Sequence, residues 1–157
     1  MITPVYLKRR THGDKALAIK TLKNDDAVDL LSKSPIGRLG CVADGEPYVV
    51  PINYLYENGS IYSHSLPGRK LNALRSNSRA CLQVDDVGEG FGWRSVIAYG
   101  WFEEIEAPAE RRAVFVKLIS RFPLLTPVES LIAQDAAAPE SVIYRIRVDR
   151  ITGVTEV

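Results

Sequence analysis

Two turn signals organise the middle of this chain. Asp44-Gly45 and Asn58-Gly59 each join a residue that tolerates positive φ to the residue that prefers it, the pattern of a two-residue hairpin loop. On either side lie short runs rich in β-branched and aromatic residues, at 38–43, 47–56 and 61–64. They are too short and too interrupted for an apolar helical stripe, so they read as three strands in a hairpin-linked meander.

Further strand signals follow. In 79–86, Ala80, Leu82 and Val84 alternate with Cys81, Gln83 and Asp85. A long run at 95–106 carries Val96, Ile97, Ala98, Tyr99, Trp101 and Phe102, and 141–149 alternates Val142, Tyr144, Ile146 and Val148 with polar residues. Residues 151–157 are expected to bend back as a closing strand. The glycines of 88–92 do not make a dinucleotide loop, because they join strand to strand where that fingerprint needs a helix after it; they read as a hairpin connection.

Three helical segments stand apart from the strands. Asn24 is expected to cap a helix with Asp25 and Asp26 in its first turn, stopped by Pro35 and Gly37. Pro108 suits a first helical position ahead of an apolar face made by Val114, Phe115, Leu118 and Ile119. Residues 128–134 allow a further helical turn. The pattern as a whole is mainly β: an antiparallel barrel of six or seven strands with a few flanking helices. It divides into a basic leader and N-terminal helix at 1–33 and a barrel at 34–157, within a single domain.

A chain of 157 residues can bury roughly two thirds of its unfolded surface, so it holds a core without staples. Its net charge of +1 argues against a dedicated nucleic-acid binder, although Lys8, Arg9, Arg10, Lys15, Lys20 and Lys23 make the leader basic. No apolar run is long enough to span a bilayer, and the first ten residues lack the apolar centre of a signal peptide, so the expected compartment is the cytoplasm. Cys41 and Cys81 fall in strands with no partner spacing and are expected to be buried, reduced thiols.

The stretch 61–77 carries the chemistry. A strand runs into a loop of Ser65, Pro67 and Gly68, and a short helix then begins near Arg69 or Lys70 with Leu71 and Leu74 on one face. Helix N-terminal amides attract anions, and two cations placed there oppose the helix dipole unless an anion lies between. The stretch therefore reads as a phosphate cradle, with a solvated basic loop as the alternative. No paired carboxylates, nucleophile–base set or metal cluster stands out.

The ordered set Gly45-Glu46-Pro47-Tyr48-Val49-Val50-Pro51-Ile52-Asn53-Tyr54, Tyr62-Ser63-His64, Gly68-Arg69-Lys70 and Arg94-Ser95-Val96 resembles the pyridoxamine 5′-phosphate oxidase-like flavoproteins, nearest their nitroimidazole-resistance branch. The resemblance covers roughly 34–157. It implies a split β-barrel that binds FMN at a homodimer interface. Arg69 and Lys70 match the pair that holds the FMN phosphate, and Ser63 and Ser65 add hydroxyls. Pro51, Ile52, Asn53 and Tyr54 match the strand whose backbone borders the flavin ring, and Ser95 matches a flavin contact from the long hairpin. His64 matches a histidine near the flavin, able to orient a substrate or pass a proton.

Three departures from the family narrow the activity, one of them Ser65 where the nitroimidazole-resistance branch commonly has Gly after the His, which argues against nitroaromatic reduction. The chain ends Gly153-Val154-Thr155-Glu156-Val157, without the Arg-containing segment with which the oxidase grips pyridoxal phosphate, and Val50 stands near the place of a further phosphate-binding arginine. Vitamin B6 oxidation is therefore not expected. The expectation is an FMN-dependent oxidoreductase acting on a small organic substrate, without nucleic-acid or membrane partners. The alternative is a non-catalytic protein that binds or senses a flavin, a deazaflavin or haem.

Overall fold

The computed structural model describes residues 19–88, 92–122 and 141–156. Among the described residues eight strands and three helices follow one another: β1 (Ile19–Thr21), α1 (Asn24–Lys33), β2 (Ile36–Ala43), β3 (Glu46–Asn53), β4 (Leu55–Glu57), β5 (Ser60–Ser65), α2 (Arg69–Ser76), β6 (Arg79–Val87), β7 (Trp93–Glu104), α3 (Pro108–Arg121) and β8 (Val142–Glu156). All pairings are antiparallel, in the order β3-β2-β6-β7-β8-β5-β4, with β1 on β8. The expected helical turn at 128–134 lies outside the described residues.

Both hairpin signals hold. Asp44 and Gly45 have φ of 54° and 79°, Asn58 and Gly59 of 50° and 74°, so each turn places two residues in the left-handed region that its hairpin requires. The meander does not hold. The run 47–56 is broken at Tyr54: β3 pairs only with β2, whereas β4 pairs with β5. The ends of the strand path, β3 and β4, are thus consecutive in the chain, and the corner at Tyr54 closes the sheet into a barrel.

Tyr54 makes that corner because its ring and its hydroxyl are satisfied in different places. The side chain is fully buried in the core, while the hydroxyl donates to the Leu31 carbonyl at 2.5 Å. Arg121, at the end of α3, stacks 5.9 Å from the Tyr54 ring and donates to the carbonyls of Ser32 (2.8 Å) and Ser34 (3.0 Å). The Ser34 hydroxyl donates to Leu30 O at 2.7 Å. The open carbonyls at the end of α1 are thereby met by side chains from two other elements. At its other end α1 differs from expectation: Asn24 is the first helical residue and Lys23 precedes it, with no side chain bonding back to the helix.

The closing strand also differs. Residues 151–156 do not bend back but continue β8, which pairs β7 from Glu104↔Tyr144 to Arg94↔Thr155. Continuity is possible because the register slips by one residue between Tyr99 and Gly100, leaving Asp149 as the extra residue of a bulge. Gly100 sits in the bend, where a Cβ would overlap the Arg147 carbonyl. One added N-terminal strand, one divided strand and one fused pair turn the expected seven strands into eight.

Inside the barrel, Leu39, Ile61, Leu82, Val84, Val96 and Tyr144 are fully buried, together with Leu71 and Leu74 of α2. A smaller cluster of Ile105, Val114, Leu118 and Ile143 lies under α3. No described helix is long and apolar enough to cross a membrane.

Burial raises the pKa of Tyr54 and of Tyr144 from 10.0 to about 12, against small opposing effects of Arg121 on Tyr54 and Ser63 on Tyr144. The folded chain holds both phenolic protons to about pH 12, and the unfolded chain releases them near pH 10. Stability is therefore expected to be unaffected by these groups below pH 10 and to fall as pH rises from 10 to 12, by on the order of 2–3 kcal/mol per phenol. Denaturant melts across that range should show the fall, and a smaller one in Tyr54→Phe.

Candidate functional site

The residues singled out by sequence gather in three places. The first is the start of α2. Gly68 precedes the helix in extended conformation, no side chain caps the first turn, and no acidic residue lies in it. The helix instead opens on Arg69 and Lys70, an arrangement the helix dipole disfavours unless an anion accompanies it. Leu71 and Leu74 anchor α2 in the core, so the orientation of this end is fixed by packing.

The two cations diverge. Arg69 turns outward, 4.8 Å over the Tyr48 ring and 3.9 Å from the Asp44 carboxylate. With 56% and 89% of these side chains exposed, the ion pair is weak and does not commit the guanidinium. Lys70 turns inward and is half-buried; burial lowers its pKa, and the neighbouring Cys41 opposes that shift.

The second place is the rim of the barrel at the Tyr54 corner. Pro47 and Pro51 have no N–H to give, so the odd-numbered amides of β3 point away from β2 toward the strand's outer edge. The Asn53 carbonyl obeys the same parity and accepts from the buried Ser63 hydroxyl at 2.7 Å, tying β3 to β5 across the corner. The Ile52 and Tyr54 side chains are buried and the Ile52 backbone faces Gly37 of β2, whereas Pro51 is exposed at the rim. Ser65 is half-buried and donates to Leu66 O at 2.9 Å.

The third place is the outer face of the sheet. Pro51 lies opposite Arg38, Arg38 opposite Gln83, and Asp85 opposite Ser95. Arg38 donates to Asp85 at 2.7 Å and to Gln83 at 3.4 Å, and Gln83 donates to the Ser95 hydroxyl at 3.1 Å. Arg38 and Gln83 were not anticipated. Gln83 alternates with core positions and so was legible as outward-facing, but only the register places it between Ser95 and Arg38.

His64 stands apart from the serines beside it. Ile61, Ser63 and Ser65 share the inner face of β5, so Tyr62 and His64 face the other way, toward α3. The His64 ring meets Phe115 edge-on, with centroids 6.3 Å apart and planes at 78°. Thus Ser63 shares an inner face with the core while the imidazole packs beneath a helix.

The family model for pyridoxamine 5′-phosphate oxidase matches residues 23–155. The chain belongs to that family. The match takes in α1 and begins earlier than the resemblance at 34–157. Among solved structures, an FAD-binding protein from Mesorhizobium loti superposes with a TM-score of 0.73 at 29% identity, covering 90% of this chain and 99% of that one. A candidate 5-nitroimidazole antibiotic resistance protein from Bacteroides thetaiotaomicron superposes with a TM-score of 0.73 at 24% identity, covering 94% and 96%. These likenesses agree with the split-barrel architecture. An uncharacterised protein of Rhizobium meliloti is 29% identical over 89 residues, which span 57% of this chain and 59% of that relative.

Both cysteines are free, Cys41 buried and Cys81 half-buried. Burial is the largest influence on each and raises its pKa; Cys81 adds to the rise at Cys41, and Lys70 offsets it in part. Native protein at pH 7.5 is expected to react with a thiol reagent at least about tenfold more slowly than free cysteine, and at the free rate in denaturant. Fast native labelling at either position would contradict this placement.

Proposed function

We propose that this protein binds a flavin nucleotide, with the phosphate at the start of α2 and the ring along the β3 rim, and works as a homodimeric oxidoreductase on a small organic substrate. The observation that carries the reading is the uncapped α2 N-terminus with Arg69 and Lys70 in its first turn. The donor set suits a phosphate dianion. A planar guanidinium gives two parallel hydrogen bonds, an ammonium gives a compact charge, and the first-turn amides point toward the same anion. The FAD-binding relative and the family membership support a flavin as the nucleotide. FMN is the smallest form that fits this reading.

When bound, the flavin supplies reversible two-electron transfer. The protein's part is to hold and orient it. The outward-facing Pro51 carbonyl offers a hydrogen bond to the polar edge of the ring, while the core packing of Ile52 and Tyr54 keeps that backbone from moving. Ser95, held by Gln83, faces the same side of the sheet.

A second copy of the chain completes this reading. By register, Ile36, Val42, Val49, Val87, Trp101 and Val154 all lie on the outer face of the sheet, each more than a third exposed. Exposed apolar side chains set among the Arg38, Gln83 and Asp85 network suit cover by an identical face. Covering it also excludes water from the rim where the ring would lie.

Replacing Arg69 and Lys70 together by Ala removes two charge-assisted contacts of about 1.5–3 kcal/mol each. Flavin affinity should then fall at least about a hundredfold, read by titrating the quenching of flavin fluorescence. Unchanged affinity in the double variant would put the phosphate elsewhere.

A further inference from the structure

Beside the start of α2 lies a cleft of about 290 Å³ that the phosphate reading does not use. Val42 and Ala73 give it an apolar lining, and its polar groups are Asp44, Arg69, Asn72 and Ser76. Spacings of three and four residues set the last three on one face of α2. Asp44 reaches the cleft from the tip of the β2–β3 hairpin, where its φ of 54° fixes the turn.

The size and chemistry limit the occupant. The volume falls just below the range of small-molecule sites, which begins at about 300 Å³, so it suits a nucleoside or a sugar but not a whole dinucleotide. A phosphate does not fit here, since the Asp44 carboxylate would repel it. A ribose does: a carboxylate accepts from the hydroxyls of a diol, and the Asn72 amide and Ser76 hydroxyl can both donate and accept. Arg69 is the shared wall between this cleft and the helix N-terminus. Its guanidinium rests on Tyr48, and more than half of the side chain is exposed, a flat cation on which an aromatic base can stack.

We infer that the cleft binds the adenosine half of a dinucleotide, with Asp44 on the ribose diol and Arg69 under the base. This inference rests on the flavin reading for the position of the phosphate. The adenosine has two possible sources: the cofactor's own second half, if it is FAD, or a separate nicotinamide dinucleotide that delivers electrons.

The test is to titrate FMN and FAD into the wild-type protein, Asp44→Gly and Ser76→Phe. Glycine keeps the turn while removing the carboxylate, and Phe at the exposed last residue of α2 fills the cleft. FAD should bind wild type at least about tenfold more tightly than FMN, and either substitution should bring FAD to within about threefold of FMN while leaving FMN affinity nearly unchanged. If the two flavins bind wild type equally, ADP is titrated into FMN-loaded protein. ADP binding lost in both variants assigns the cleft to a separate dinucleotide. FMN binding with neither an FAD preference nor ADP binding overturns the inference and leaves the flavin reading standing. Equal weakening of FMN and FAD by the two substitutions also overturns it. A protein that takes up neither flavin removes both.

Discussion

The fold depends on the burial of one tyrosine. β3 and β4 lie at opposite ends of the strand path, yet only Tyr54 separates them in the chain. Its ring fills the core, its hydroxyl holds the end of α1, and Arg121 from the end of α3 packs on the same ring. Closure of the barrel and docking of two helices thus meet at one side chain. The Ser63 hydroxyl on the Asn53 carbonyl seals the same corner from β5. A sheet closed in this way leaves fewer open edges, and the edge that persists on β3 carries Pro47 and Pro51, which withhold donors from any added strand.

The corner also sets out the candidate site. Beyond it the chain turns at Asn58-Gly59, runs up β5 and leaves the barrel at Ser65, so that α2 begins close to the end of β2 and packs there through Leu71 and Leu74. The helix therefore presents its uncapped end beside the β2–β3 hairpin, where Arg69 meets Tyr48 and Asp44. Arg69 and Lys70, adjacent in sequence, separate in space. The outward arginine stays available to a ligand, while the inward lysine is partly desolvated, which strengthens its attraction for an anion.

The fold class was legible because its signals are local. Turn pairs at 44–45 and 58–59, alternation in β6 and the proline opening α3 each act within a few residues. What the sequence hid was non-local. Residues 47–56 look like one strand because nothing local shows that the two sides of Tyr54 pair with different partners. The bulge at Asp149 that keeps β8 continuous depends on β7, and β1 exists only because β8 is there to receive it. The basic, uncapped start of α2 was readable from Arg69 and Lys70, but the facing of His64 toward Phe115 follows from the register of β5 with β8, which places it opposite Ile143. The pairings of Arg38 with Asp85 and of Asp44 with Arg69 escaped notice for the same reason: the partners are distant in sequence.

In the proposed function the start of α2 and the β3 rim together hold a flavin nucleotide. The most direct measurement is the visible absorption spectrum of the purified protein after incubation with flavin and removal of the unbound excess. The bands of oxidised flavin should stay with the protein, near one flavin per chain, and bleach on addition of a chemical reductant. A protein that emerges colourless, with its fold intact by circular dichroism, would contradict it.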